Sequence, residues 1–257
     1  MIAGLVFILA ILFPFIPLIL GSISTGWRFG EILPSNYSID GYEYVLKNRS
    51  TWIGMGYNLL IAYTVAIINL FLAIPAAKFL FRKKSRFKGI YMIILFAPLI
   101  VPSLSSVLGI HHSMIIYGLT DNLLGVILVN IIPSFPYVLL SLYGSFKGFP
   151  KGLEESALID GVSKIQMYRY IILPILLPGI LIGSTISILI SLSEYVLTFL
   201  IGGGEIITLP ILMFPYLSSG DKIIGAVYAI LFIFFNVVGI LLFELGIKLV
   251  LKKMTKI

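Results

Sequence analysis

Residues 154–161 read Glu154-Glu155-Ser156-Ala157-Leu158-Ile159-Asp160-Gly161, and the chain runs on through Ser163, Gln166 and Tyr168 to Ile172-Leu173-Pro174. This is a polar island between two long apolar runs. Pro150 suits the first turn of a helix, Glu154 and Glu155 favour its positive dipole end, and Gly161 suits the left-handed residue that stops it. Residues 150–160 therefore predict a short helix. Ser163 stands three residues before Gln166, the spacing of a capping box, so a second helix starts at once and leads into Pro174.

Around this island the composition sets the class. Of 257 residues, 59% are hydrophobic and 11% charged, with a mean hydropathy of +1.09. A soluble domain of this length does not carry so little charge, and the composition predicts an all-α, polytopic membrane protein. The absence of cysteine excludes a disulfide framework and a thiolate metal site or nucleophile. The net charge of +7 comes from basic residues clustered beside apolar runs, which reads as a topology signal rather than a nucleic-acid surface.

Six membrane spans are expected. Residues 2–23, kinked near Pro14 and Pro17, lack the basic start of a cleaved signal and read as a retained first span. Residues 24–52 are too polar to cross and form the longest outer loop. The second span covers residues 58–78, followed by the basic turn Arg82-Lys83-Lys84-Ser85-Arg86-Phe87-Lys88. Residues 89–110 make a third span broken by Pro98 and Pro102, and residues 123–146 a fourth containing Asn130, Pro133 and Pro136. His111 and His112 fall in the loop between them, where adjacent side chains point apart, and no metal site is expected. The fifth and sixth spans run from about 176 to 201 and from 223 to 250. Between them, Gly202-Gly203-Gly204 is a turn rather than a phosphate cradle, because no Gly-Lys-Ser/Thr follows.

Six spans place both termini, the turn near residues 78–88 and the loop 146–172 on one side. That side holds fourteen of the eighteen basic residues, leaving Arg28, Lys47, Arg49 and Lys222 on the other. The positive-inside rule then puts residues 154–161 in the cytoplasm.

The same stretch resembles the integral-membrane permeases of ABC importers, whose signature is Glu-Ala-Ala, then Asp-Gly, then a Leu-Pro pair whose proline follows that glycine by thirteen residues. Glu155, Ala157, Asp160, Gly161, Leu173 and Pro174 fall in register, with Ser156 in place of the first Ala. The resemblance extends from Asn58 through the sixth span. It implies a single transmembrane permease domain over residues 1–257, with a coupling loop at 146–172 whose short helix enters a groove on an ATPase subunit. Carried onto this chain, the coupling residues are Leu153, Glu154, Glu155, Ala157, Leu158, Asp160 and Gly161, with Leu153, Ala157 and Leu158 forming one apolar face. The implied partners are ABC ATPase subunits, a second permease of the same or different sequence, an extracytoplasmic solute-binding protein and the lipid bilayer of the cell membrane. The run Ser193-Glu194-Tyr195-Val196-Leu197-Thr198, with Gly202–Gly204 and Thr208-Leu209-Pro210, looks most like permeases for thiamine, polyamines or ferric iron.

The chain has no Walker-type Gly-x-x-x-x-Gly-Lys-Ser/Thr, so it is not itself the ATPase. It also lacks His-Glu-x-x-His and a Gly-x-Ser-x-Gly elbow, and neither an enzymatic role nor a cofactor is expected. A secondary transporter driven by an ion gradient is the alternative, for which only Glu194 and Glu244 come near the intramembrane carboxylates required. Ser187, Ser191 and Glu194 are spaced four and three apart, with Thr198 four further on, which predicts one polar helical face in the fifth span. Such a face reads as lining the translocation path, its charge favouring a cationic solute. The other reading of Glu194 is a carboxylate at the headgroup level or bonded to a neighbouring helix.

Overall fold

Backbone N–H and C=O groups in an apolar solvent must bond within their own segment, and the apolar runs of this chain accordingly fold as helices. The computed structural model describes residues 10, 12–25, 27, 31, 33–82, 88–100, 103–150 and 152–255. In chain order the elements are α1 (Phe15–Ser22), β1 (Ser24–Thr25), β2 (Asn36–Tyr37), α2 (Asp40–Lys47), α3 (Arg49–Arg82), α4 (Lys88–Ile100), α5 (Ser103–Ile116) and α6 (Leu123–Lys147). They continue as α7 (Leu153–Ile159), α8 (Lys164–Met167), a π-helical turn (Tyr168–Ile172), α9 (Leu173–Ser193), α10 (Val196–Gly202), α11 (Leu209–Ser219) and α12 (Lys222–Thr255). Among the described residues four helices are long and apolar enough to cross a membrane: Arg49–Arg82, Leu123–Lys147, Lys164–Ser193 and Lys222–Lys253.

The chain divides into two compact units, Met1–Asn58 with Ile207–Val237, and Leu59–Ile206 with Val238–Ile257. In the first unit the strands pair antiparallel, Ser24 opposite Tyr37 and Thr25 opposite Asn36. Its core gathers Val45, Leu209, Val227, Tyr228 and Leu231. Beside that core the Tyr228 hydroxyl pairs with Thr51 at 3.1 Å and the Tyr42 hydroxyl with Ser22 at 2.9 Å, while the buried Thr208 hydroxyl has no partner among the described residues.

The second unit is built on the contact of α6 with α9. Gly179 and Gly183 let the backbones approach, since a Cβ at Gly179 would lie 2.9 Å from the Ser141 carbonyl oxygen and one at Gly183 3.3 Å from Val138. Small residues do this in bilayers, where no hydrophobic drive separates helix from lipid and close packing must hold helices together. The Ser141 hydroxyl closes the contact by donating to the Gly179 carbonyl at 3.0 Å. Leu80, Leu139, Leu142, Phe146, Ile172 and Leu176 form the core around it.

Several boundaries differ from the sequence reading. The second span starts nine residues earlier, at Arg49, because the turns before Asn58 bury Thr51 and Gly54 rather than facing water as a loop. Of the third span, residues 89–100 lie in α4 and residues 103–110 in α5, and Val101 and Pro102 lie outside the described residues. His111 and His112 sit within α5, not in a loop. The stretch after residue 202, expected as a loop, contains α11, which Pro210 favours in its first turn. The fifth span stops at Ser193 instead of running on to residue 201, since Glu194 is extended with φ −74° and ψ 107°. The start of the first span, residues 2–9 and 11, and most of the basic turn, residues 83–87, lie outside the described residues.

Candidate functional site

The polar turn between α6 and α9 is assembled from local rules. Gly152 takes φ +84°, so α7 begins at Leu153, three residues later than Pro150 suggested. Gly161 takes φ +79° and ends the helix as expected of a left-handed stop. The Gly161 and Val162 amides donate to the carbonyls of Leu158 and Ala157 at 3.1 and 3.0 Å, satisfying the last turn. Ser163 and Gln166 form the reciprocal capping box, at 3.0 and 3.3 Å. The chain then passes through the π-helical turn into α9.

One side of this turn is anchored in the second unit. Phe149, Ala157, Met167 and Ile172 are buried, and Phe149, Met167 and Ile172 join the core of α6 and α9. Glu154 is also buried, at 5% exposure. Its Oε2 accepts the Lys78 ammonium at 3.0 Å and pairs with the Arg82 guanidinium. Lys78 additionally donates to the Tyr168 hydroxyl at 3.0 Å and lies over that ring, 4.5 Å from its centroid. Four residues apart on α3, Lys78 and Arg82 share a helical face, so both cations reach one carboxylate.

The other side is bare. Glu155, Ser156, Asp160 and Gly161 are exposed, and so are Leu158 at 48%, Ile159 at 86% and Ile165 at 80%. The apolar face expected from Leu153, Ala157 and Leu158 is thereby split. Leu153 and Ala157, four apart, turn inward together, whereas Leu158 lies about 100° round the helix from Ala157 and turns out. Glu154 and Glu155 separate for the same reason, one buried in an ion pair and one displayed. Sequence reasoning assigned Lys78 and Arg82 only to topology and gave no role to Tyr168, Ile159 or Ile165. The four-residue spacing of Lys78 and Arg82 is the one local signal for the first two.

The second set of sequence-derived residues does not share one helical face. Ser187 and Ser191 are on α9, Glu194 is in the break after it, and Thr198 is on α10. Ser187, Ser191 and Thr198 are buried. Asn69 on α3 donates to the hydroxyls of Ser134 at 2.7 Å and Ser187 at 3.0 Å. Asn130 on α6 accepts from Ser191 at 3.2 Å and donates to Thr198 at 3.3 Å and to the Val126 carbonyl at 2.9 Å. Gly179, Gly183, Ser187 and Ser191 recur every four residues, so the two serines continue the small-residue seam against α6. That period, readable in the sequence, was the missed signal.

Glu194 stands apart from the seam. It lines a cavity of about 380 Å³ with Pro98, Ser106, Pro133, Tyr195 and Val196. One carboxylate oxygen accepts the Leu197 amide at 3.0 Å, capping α10. Glu244 on α12 accepts from Thr185 at 2.6 Å and pairs with Lys248 at 3.5 Å. Among the described residues no group of three or more His, Cys, Asp or Glu side chains is placed to hold a metal ion.

Residues 69–254 match the family model described as binding-protein-dependent transport system inner membrane component. The spermidine/putrescine transport system permease protein PotC of Haemophilus influenzae is 26% identical over 188 residues, 72% of each chain. The probable starch degradation products transport system permease protein AmyC of Thermoanaerobacterium thermosulfurigenes is 30% identical over 200 residues, 74% of this chain and 69% of that one. In fold, the chain matches a subunit of a bacterial ABC transporter involved in the import of the acidic polysaccharide alginate. The TM-score is 0.67 at 18% identity, over 96% of this chain and 93% of that one.

Proposed function

The chain belongs to the binding-protein-dependent transport system inner membrane component family, the permeases of ABC importers, and from that membership we propose that it forms a solute path and couples it to a separate ATPase through α7. The observation that carries the reading is the two-sided turn. Its inner side is fixed by Glu154, Ala157 and Met167, while Leu158, Ile159 and Ile165 present uncovered apolar surface with Glu155 and Asp160 beside them. Exposed apolar groups rimmed by polar ones suit a protein partner. The surface is cytoplasmic by its basic neighbours, both termini lie on that side, and the membrane is the cell membrane. A second permease completes the path, and an extracytoplasmic binding protein delivers the solute. The six crossings are retained, with α4 and α5 crossing in tandem.

The solute we favour is a polyamine. Glu194 is an acidic side chain at a cavity of about 380 Å³, which favours an ammonium cation, and a spermidine/putrescine permease is among the relatives. Neither relative named above speaks for thiamine or ferric iron. The gradient-driven alternative is weakened because Glu244 is already bonded by Thr185 and Lys248.

The docking reading is tested with Ile159→Asp, which puts a charge on the bare side and leaves the anchored side untouched. ATPase subunits should co-purify with the unchanged chain and fall away by about tenfold with the variant, the effect of roughly 1.4 kcal/mol at an interface. Equal recovery with both chains, or none with the unchanged chain, overturns docking at α7. For the solute, Glu194→Gln keeps the shape and the acceptor for the Leu197 amide but removes the charge. Spermidine uptake by the assembled transporter should fall while ATPase recovery holds; undiminished uptake removes Glu194 from cation selection.

A further inference from the structure

The Glu154 ion pair sits where a push on α7 reaches a membrane helix that no short stretch of chain joins to it. Toward α6 and α9 the routes are covalent, through residues 148–152 and through α8 with the π-helical turn. Toward α3, beside the apolar core that Ala77 and Leu80 share with Met167, the polar contact is made by Glu154 with Lys78 and Arg82 and by Tyr168 with Lys78. Pro75 lies in α3 one turn before Lys78. A proline inside a helix removes one backbone hydrogen bond and bends or softens the helix there. The π-helical turn plays the corresponding part at the base of α9, because a wider turn inserted in an α-helix is a preferred place for it to yield. Each helix therefore has a compliant point next to a firm attachment to α7.

We infer that Glu154 is a positioning residue for transport: with Lys78 it locks the end of α3 beyond Pro75 to α7, so that α7, α8 and residues 76–82 move as one body when the ATPase moves. The inference rests on the docking reading for the source of the motion. The joint itself does not depend on it.

Burial suits the pair for this task. Lys78 and Glu154 side chains are 15% and 6% exposed, so their attraction is little screened, while Arg82 at 49% leaves the cluster one solvated charge. A hydrophobic contact of the same size would permit sliding; two cations and a hydroxyl converging from α3 and the π-helical turn fix direction as well as distance.

The chain has no cysteine, so two introduced at Phe79 and Ile159, both exposed, carry spin labels without competition. In the chain alone in nanodiscs, the 79–159 distance should be narrow and become broad with Glu154→Gln. The reciprocal pair Glu154→Lys with Lys78→Glu, which restores opposite charges, should narrow it again. With ATPase subunits bound, the unchanged chain should keep one distance between nucleotide-free and ATP-trapped states. Glu154→Gln should then shift it by about 5 Å, on the scale of one helical turn, while ATP hydrolysis and ATPase recovery persist. A purely structural role would lower recovery and hydrolysis together and leave the distance unsplit. A distribution in Glu154→Gln as narrow as in the unchanged chain overturns the joint, and Lys78→Gln repeats the test should the first variant fold poorly. Failure of the unchanged chain to bind ATPase overturns docking instead, with the isolated chain still reporting on the joint.

Discussion

At the joint of Glu154, Lys78, Arg82 and Tyr168 the polar groups that bind helices carry charge, whereas in the seam of Asn69, Asn130, Ser134, Ser187, Ser191 and Thr198 none does. Both clusters use α3, at residues nine positions or about 13 Å apart along the helix. The difference follows from water. Arg82 is half exposed, so the charged cluster keeps contact with solvent and its desolvation is partial. The seam is 0–4% exposed, where an ion would be expensive and a neutral amide can still satisfy several neighbours. Asn130 does so fully, accepting once and donating twice. Asn69 donates twice, and its Oδ1 has no partner among the described residues.

The sharpest way to break this comparison is Glu154→Ala, which leaves Lys78 nearly buried beside Arg82 without a carboxylate. A loss of about 3 kcal/mol is expected from breaking such a pair, read by unfolding in detergent. A loss below about 1 kcal/mol would place the pair with ordinary surface ion pairs.

Next in size, Asn130→Leu strands Ser191 and Thr198 in the seam and should destabilise by about 1–3 kcal/mol. Asn69→Leu should be milder, nearer to about 0.6 kcal/mol, because its amide oxygen is already unpaired. The reverse order would mean that the seam is organised around Asn69.

Salt separates the clusters without mutation of the seam. Raising KCl to about 1 M shortens the screening length to about 3 Å and should trim the Glu154→Ala difference only by the share that half-exposed Arg82 carries, while leaving that of Asn130→Leu unchanged. Equal salt sensitivity would show that water reaches both.

The most local effect is expected at Gly161→Ala, where a Cβ meets no neighbour but φ is +79°. The left-handed backbone should cost about 1–2 kcal/mol, loosening the turn between α7 and α8. ATPase recovery should drop modestly; normal recovery would show that the angle between those helices is set elsewhere.

What could be read from the sequence here is what depends on neighbours in the chain. The stop at Gly161 and the Ser163–Gln166 box each need only a few residues, and both formed as spacing predicted. The Leu123–Lys147 helix likewise follows from one apolar run and the Asn122 cap. Carrying the fifth span through Glu194 failed, because helical periodicity counts positions without knowing where the backbone opens; the carboxylate instead caps α10. Reading Ser187 and Ser191 as path-lining failed to include Gly179 and Gly183, which mark the same face as a packing surface.

By itself the sequence determined that this is a helical membrane protein of the ABC importer permease family with a polar, helix-stop-helix turn between two apolar runs. Only the tertiary structure decided which of the adjacent carboxylates Glu154 and Glu155 turns inward. It also decided that Lys78 and Arg82, some 70 residues earlier, meet the former, and that the serines of α9 face asparagines on α3 and α6. The physical reason is range. Caps, stops and hydropathy act over one or two helical turns, whereas the choice between burying and displaying a charge depends on a partner the chain brings up from far away.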